Sequence, residues 1–321
     1  MALPAQAKMK KLGQAGMSFL AIGGSARASG MAGVFDFARN DLASVFYNPA
    51  GLATVEKRAF FFNYTQWIAD MSVSHMAVSW NTGTYGTFAL HAQLMDYGDF
   101  KGTAIADNEQ GYVDVDVGDV GGMAVGLGYG ISLTERFSIG GNLKWVSQKL
   151  GKNDTYVGDI LETAGKQNEI SDVAFDFGTM YETGIKSIVL SMSIRNYAGQ
   201  QLYENEEFQL PQTYKIGLAA NLFEFFPGPA ENHNAILAIE GVDPVDRPEF
   251  VHLGLEYDLM NMLFLRLGWA PNRAEDDIGG FSGGAGFKLN TAGFVGNIDV
   301  SYSDYGSILG SVLRLSVSGA L

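Results

Sequence analysis

The chain contains no cysteine, which excludes a disulfide scaffold and a thiolate metal site. It has no run of about 18 apolar residues, so no segment reads as a membrane-spanning helix. Basic residues are scarce: 21 Lys and Arg stand against 35 Asp and Glu, a formal charge of -14. That balance argues against nucleic acid as a partner, because such binding needs basic stripes. His75, His91, His233 and His252 are scattered and form neither a catalytic triad nor a zinc spacing. Asp114-Val-Asp116-Val-Gly-Asp119 clusters carboxylates but lacks the bidentate glutamate of a calcium loop. The chain therefore reads as no enzyme, with no metal site and no cofactor.

Glycine is abundant instead, at 41 residues, with 21 Phe and 14 Tyr. Many aromatics, few charges and a mean hydropathy of +0.04 suit a barrel whose strands of about 10 residues alternate apolar and polar and raise no hydropathy peak. From Ala59 onward the two-residue period dominates. Phe137, Ile139, Leu143 and Trp145 share one face, and Ser138, Gly140, Asn142, Lys144 and Gln148 the other. Leu190 and Met192 alternate with Ser191 and Ser193, and Leu263, Leu265, Leu267 and Trp269 with Phe264, Arg266 and Gly268. Only a strand places such sets on a common face.

About fourteen such segments follow one another, an even number that fits a closed antiparallel transmembrane barrel with both ends on one side. Links around Thr82, Thr134, Gly184, Met260 and Thr291 are tight, whereas those around Asp107, Asp159, Glu204 and Asp276 are long and mostly acidic. That is the asymmetry of an outer-membrane barrel, with long loops outside. Trp67, Trp80, Trp145 and Trp269 are expected in interfacial girdles. Gly126-Leu-Gly-Tyr-Gly130 and Gly279-Gly280-Phe-Ser-Gly283-Gly284 do not open a helix after a strand, so they are no phosphate loop; within strands they would let other backbone approach the wall.

Ahead of the barrel, Ser25 to Ala53 reads as a small amphipathic plug. Asn40 and Asp41 are good N-cap residues, Leu42 to Tyr47 makes a helical turn or two, and Asn48-Pro49 stops it. Three divisions result: a candidate signal-peptide remnant at 1–7, where Ala5-Gln6-Ala7 resembles a cleavage site, a plug at 8–58, and the barrel at 59–321. Arg27, a lone charge amid Ala and Gly, either pairs with a lumen carboxylate (Asp176, Glu256 or Asp299) or lies exposed at the mouth. Arg27, Asn40, Asp41, Asn48, Pro49 and Gly51 are the candidate plug or gate residues.

Phe19-Leu-Ala-Ile-Gly23, Ala26-Arg27-Ala28, Gly30-Met31-Ala32-Gly33, Asn40-Asp41 and Tyr47-Asn48-Pro49-Ala50-Gly51-Leu52-Ala53 occur in order. Together they resemble the amino-terminal signature of the PorV/PorQ family of outer-membrane proteins. The Asn-Pro-Ala element is also similar to that of the wider superfamily of FadL-type hydrophobe transporters. Ile298 to Gly306 and Leu313 to Val317 look like the family's closing strands. One departure is the chain end, Val317-Ser-Gly-Ala-Leu321, which lacks a terminal aromatic.

The resemblance implies a bacterial outer-membrane shuttle or adaptor of type IX secretion. Such a protein receives carboxy-terminal signal domains of exported cargo beside a large translocon and passes them on for surface attachment. Asp107, Tyr112, Asp159, Tyr203, Glu204 and Asp276, on the long loops, would then contact partners. The alternatives are a FadL-like channel binding a lipid or other hydrophobe, and a structural barrel in a larger surface assembly. A hydrophobe channel should carry apolar residues in its longest loops, and the polar character of Asp99 to Gly118 and Gly151 to Ile170 favours a protein partner.

Overall fold

The computed structural model describes residues 15–55, 58–152, 154–157, 160–163, 165–203, 206–226, 232–270, 280–291 and 294–321. In chain order the strands are β1 (Ala59–Gln66), β2 (Ser72–Asn81), β3 (Thr87–Asp96), β4 (Lys101–Ile105), β5 (Tyr112–Asp116), β6 (Val120–Ser132), β7 (Phe137–Lys152), β8 (Thr155–Val157), β9 (Ile160–Thr163) and β10 (Gln167–Glu182). There follow β11 (Val189–Tyr197), β12 (Gln201–Tyr203), β13 (Glu206–Phe208), β14 (Thr213–Asn221), β15 (His233–Pro244), β16 (Phe250–Leu259), β17 (Leu263–Ala270), β18 (Gly280–Thr291), β19 (Phe294–Asp304) and β20 (Ser311–Ala320). Fourteen of them close into one antiparallel barrel, β1-β2-β3-β6-β7-β10-β11-β14-β15-β16-β17-β18-β19-β20, with β20 returning to β1 along Ala59↔Ala320 to Gln66↔Leu313.

The other six strands form three two-stranded hairpins, β4-β5, β8-β9 and β12-β13. They occupy three of the long links, which the sequence presents only as polar loops. In β5 Val113 and Val115 do alternate with Asp114 and Asp116, but these six strands are only three to five residues long, too short for a period to stand out. All three rise from one end, the long-link end; the turns at Thr82, Thr134, Gly184 and Met260 lie at the other.

Period-two alternation sets the faces. Leu190, Met192, Leu265 and Leu267 are exposed outward, while Ser191, Ser193 and Arg266 are buried inward. The outer band fits lipid, and Trp80, Trp145 and Trp269 belong to it. Trp67 does not. It lies in the first link, stacks edge-on against Tyr305 with ring centroids 5.5 Å apart, and has the buried Arg314 guanidinium 5.5 Å from its ring centre.

The inner face is packed rather than water-filled. An N-terminal segment runs through the lumen, and its described part begins at the long-link end, where Gly16 N–H donates to the Gln209 carbonyl at 2.9 Å. It leaves at the short-link end, where Asn81 donates to the Val55 carbonyl at 2.8 Å just before β1 starts. Its helical elements are short: 3-10 turns at Ser18–Ala21, Leu42–Phe46 and Pro49–Thr54, and one α-helical turn, α1 (Ala26–Gly30). The expected amphipathic character is missing. Leu42, Ala43, Ser44, Val45 and Phe46 are all buried, because a segment ringed by barrel wall has no solvent side.

Candidate functional site

The lumen segment is held by three polar anchors and by contacts that need glycine. The first anchor is Arg27, on α1. Its Nε and Nη2 donate to Glu256 Oε2 and Oε1 at 2.8 and 2.7 Å, a bidentate pair with β16, and Nη1 donates to Asp41 Oδ2 at 3.0 Å. Arg266 on β17 continues the ladder, reaching Glu256 Oε2 and Asp299 Oδ1, both at 2.6 Å. Of the three carboxylates proposed for Arg27, Glu256 is the direct partner. Asp299 joins only through Arg266, and Asp176 is bonded instead by Lys144 at 2.7 Å.

The second anchor was not legible in the sequence. Glu240 on β15 accepts from the backbone N–H groups of Phe35 and Asp36 at 2.6 and 2.7 Å. Its other oxygen accepts from Lys215 at 2.8 Å, and Lys215 also donates to the Gly33 carbonyl at 3.1 Å. Ser193 bonds to Asp36 Oδ2. These charges stand alone on separate strands, so no spacing in the sequence joins them.

The third anchor is the Asn-Pro-Ala turn. Fully buried Asn48 donates through Nδ2 to the carbonyls of Asp36 and Thr179 at 2.9 and 3.0 Å, and its Oδ1 caps the Pro49–Thr54 turn by accepting from Ala50 N–H at 3.1 Å. Pro49 at the first position of that turn has no N–H left without a partner. Asp41 caps Leu42–Phe46, accepting from Ala43 N–H at 2.9 Å. Asn40 is no cap. It is left-handed, with φ 52°, and donates its N–H to Thr54 Oγ1 at 2.8 Å. Gly51 packs where a Cβ would lie 2.7 Å from the Ala38 carbonyl.

Wall glycines make the docking possible, as their place within strands implied. A Cβ at Gly130 would lie 2.6 Å from Ala53 N, and one at Gly140 2.6 Å from Ala50 N. On the opposite wall Gly284 and Gly30 meet backbone to backbone, each Cβ position just over 3 Å from the other's Cα.

Above the anchors, at the long-link end, the segment turns apolar. Met17, Phe19, Leu20 and Ile22 are buried in one cluster with Val73, Met95, Val146 and Leu210, and Trp67, Met71, Tyr97, Ile170 and Phe208 pack against it. Among the described residues two bonds from wall side chains reach its backbone: Gln93 to the Phe19 carbonyl at 2.6 Å and Arg195 to the Leu20 carbonyl at 3.4 Å. Below it, Phe46 meets the rings of His75 and His91 edge-on at 5.0 and 5.4 Å. At the short-link end a cavity of about 340 Å³ opens beside Arg27, Asp41, Arg266, Lys288 and Asp299.

The proposed partner-contact residues are not gathered. Asp107 sits in the turn of the β4-β5 hairpin, Tyr112 on β5 and Tyr203 on β12. Asp159, Glu204 and Asp276 lie outside the described residues.

A closed fourteen-stranded antiparallel barrel with its own N-terminal segment packed through the lumen is the class of protein this fold defines. No protein-family model and no curated sequence matches the chain. Solved structures match over nearly its whole length. A FadL homologue of Pseudomonas aeruginosa is 11% identical, with 92% of this chain and 97% of that one covered and a TM-score of 0.55. The toluene transporter TodX of Pseudomonas putida is 11% identical, covering 93% and 98%, TM-score 0.56. The toluene transporter TbuX of Ralstonia pickettii is 12% identical, covering 93% and 97%, TM-score 0.56. At these identities the likeness is one of fold: the barrel is FadL-like.

Proposed function

We propose that the protein is an outer-membrane channel for small hydrophobic molecules, with its long links outside and its N-terminal segment as the gate. The observation that carries this is the apolar cluster at the long-link mouth. Phe19 and Leu20 there fill a site lined by Met95, Leu210 and Trp67, and few polar bonds hold them in it. An apolar solute of similar size would compete for that site, because burial of apolar surface stabilises either occupant, at about 25 cal/mol per Å².

The anchors below belong to the part of the segment that stays seated. Loop polarity, which favours a protein partner in the sequence, concerns the wrong residues in this reading, since the capture surface comes from the lumen segment and the inner wall. The structural neighbours described as toluene transporters support the same assignment.

Trp67 lies against the cluster and reports on it. Toluene added to the purified barrel in detergent should change Trp67 emission saturably, and Trp67→Phe should abolish that change. No saturable response from the parent protein would sink the channel reading.

The adaptor role implied by the PorV/PorQ resemblance is the second reading. Exposed Ile105, Tyr112 and Leu202 on the hairpins are what favours it. Gentle extraction from the native membrane with a large translocon attached would support it over the channel.

A further inference from the structure

Charge in the lumen is unevenly matched. Arg27 and Arg266 face Asp41, Glu256 and Asp299, Lys215 faces Asp36 and Glu240, and Lys144 faces Asp176. Arg195 and Arg314 are different: among the described residues, neither has a carboxylate within ion-pair distance. Arg314, only 5% exposed, donates to the hydroxyls of Ser303 at 3.2 Å and Tyr305 at 3.5 Å. Arg195 has the 3.4 Å bond to the Leu20 carbonyl. Among the described residues both Nε groups lack a partner, as does His75 Nδ1 nearby.

The two arginines come from opposite walls, β11 and β20 being the seventh and fourteenth strands around the barrel. The Arg195 guanidinium lies 5.5 Å from the centre of the Tyr47 ring, over which Lys215 also stands at 5.7 Å, and the Arg314 guanidinium lies 5.5 Å from the centre of the Trp67 ring.

Local backbone geometry aims Arg195 inward. The pairing of β10 with β11 skips between Phe175↔Tyr197 and Phe177↔Ile194, so Arg195 and Asn196 together oppose the single residue Asp176, with Asn196 at φ 55°. Bulges re-aim side chains in this way next to functional sites. The Asp176 carboxylate beside the bulge already accepts from Lys144, Asn142 and the Asn196 N–H, so it makes no direct ion pair with Arg195. A buried cation without a counter-ion is costly; Arg314 is buried and Arg195 half-buried, and both border the apolar cluster, Arg314 at Trp67 and Arg195 at the Leu20 carbonyl.

We propose that Arg195 and Arg314 form an anion-receiving site beneath the long-link mouth, fitted to a compact aromatic carboxylate rather than to a neutral hydrocarbon. The inference rests on the channel reading and narrows its substrate class. The carboxylate takes the guanidinium groups now held by a carbonyl and two hydroxyls. The ring enters beside Trp67, Tyr305 and Phe19, and displacing the Leu20 carbonyl from Arg195 couples binding to release of the segment above it.

The test is calorimetric titration of the purified full chain in detergent with sodium benzoate, toluene and sodium chloride. Benzoate should bind at least tenfold more tightly than toluene. Arg195→Gln and Arg314→Gln should each weaken benzoate roughly tenfold or more, the effect of one charge-assisted hydrogen bond, while leaving toluene binding no weaker than in the parent. The melting temperature of Arg314→Gln should be no lower than that of the parent, because the substitution removes an unmatched buried charge; a purely structural arginine would give the opposite. Toluene bound as well as benzoate, benzoate indifferent to both substitutions, or chloride displacing benzoate at equal concentration would each overturn the site and leave the channel standing. Binding of neither organic ligand would overturn both.

Discussion

Arg27 and Glu256 meet through two parallel hydrogen bonds of 2.8 and 2.7 Å across the boundary between the lumen segment and the barrel wall. The pair joins residues 229 positions apart, and Glu256 is itself steadied by Arg266. Such bidentate charged pairs combine geometric definition with roughly twice the strength of neutral hydrogen bonds.

Arg27→Gln should therefore loosen the segment while leaving the barrel closed. Glu256 keeps Arg266, so the cost falls at the low end for a broken buried pair, about 3 kcal/mol. Limited proteolysis should cut within residues 15–55 sooner than in the parent, with the barrel still running as a folded, heat-modifiable band. Equal protease resistance would show that the pair does not seat the segment.

Asn48→Ala leaves the carbonyls of Asp36 and Thr179 and the N–H of Ala50 without their partner. Each buried polar group so orphaned costs about 1–3 kcal/mol. The melting temperature in detergent should fall by several degrees, and Asn48→Asp, which keeps the cap but loses the donor, should recover only part of it.

Gly140→Ala tests the close approach of the wall to the Asn-Pro-Ala turn. The added methyl meets the backbone of Pro49 and Ala50, which cannot move aside as a flexible side chain would. Displacement of the turn is expected, seen as faster amide exchange over Pro49–Thr54. Gly199→Ala, with nothing near its Cβ position, is the matching control and should behave as the parent.

Leu265→Asp places a carboxylate on the lipid-facing side and should impair insertion by about 2–4 kcal/mol or less, according to depth. From the sequence, Ser191→Asp on the inner face should be tolerated. The packed lumen reverses that expectation: Ser191 is buried and lies in one row with Gly217 and Glu240. A second carboxylate there would stand beside Glu240, whose partner Lys215 is already shared with Asp36. Both variants should show reduced yield of folded barrel, and an unaffected Ser191→Asp would mean that water fills this part of the lumen.

The barrel was legible in the residue order because a strand exposes its two faces alternately, and lipid on one side with packed interior on the other writes a two-residue period along the chain. Strand number, the antiparallel order of neighbours, the outward leucines and the tight turns all depend on residues close in sequence. So do the caps at Asp41 and Asn48, whose side chains bond backbone two residues ahead. What only the tertiary structure decided is everything that crosses the lumen. It chose Glu256 over Asp176 for Arg27, paired Glu240 with the backbone at Phe35, drew Trp67 away from the outer band, and left Arg195 and Arg314 unmatched beneath the apolar mouth. The ties of Arg27 to Glu256 and of Phe35 to Glu240 join residues 229 and 205 positions apart, and closing a barrel brings such residues together through strand stagger and bulges, which no local pattern records.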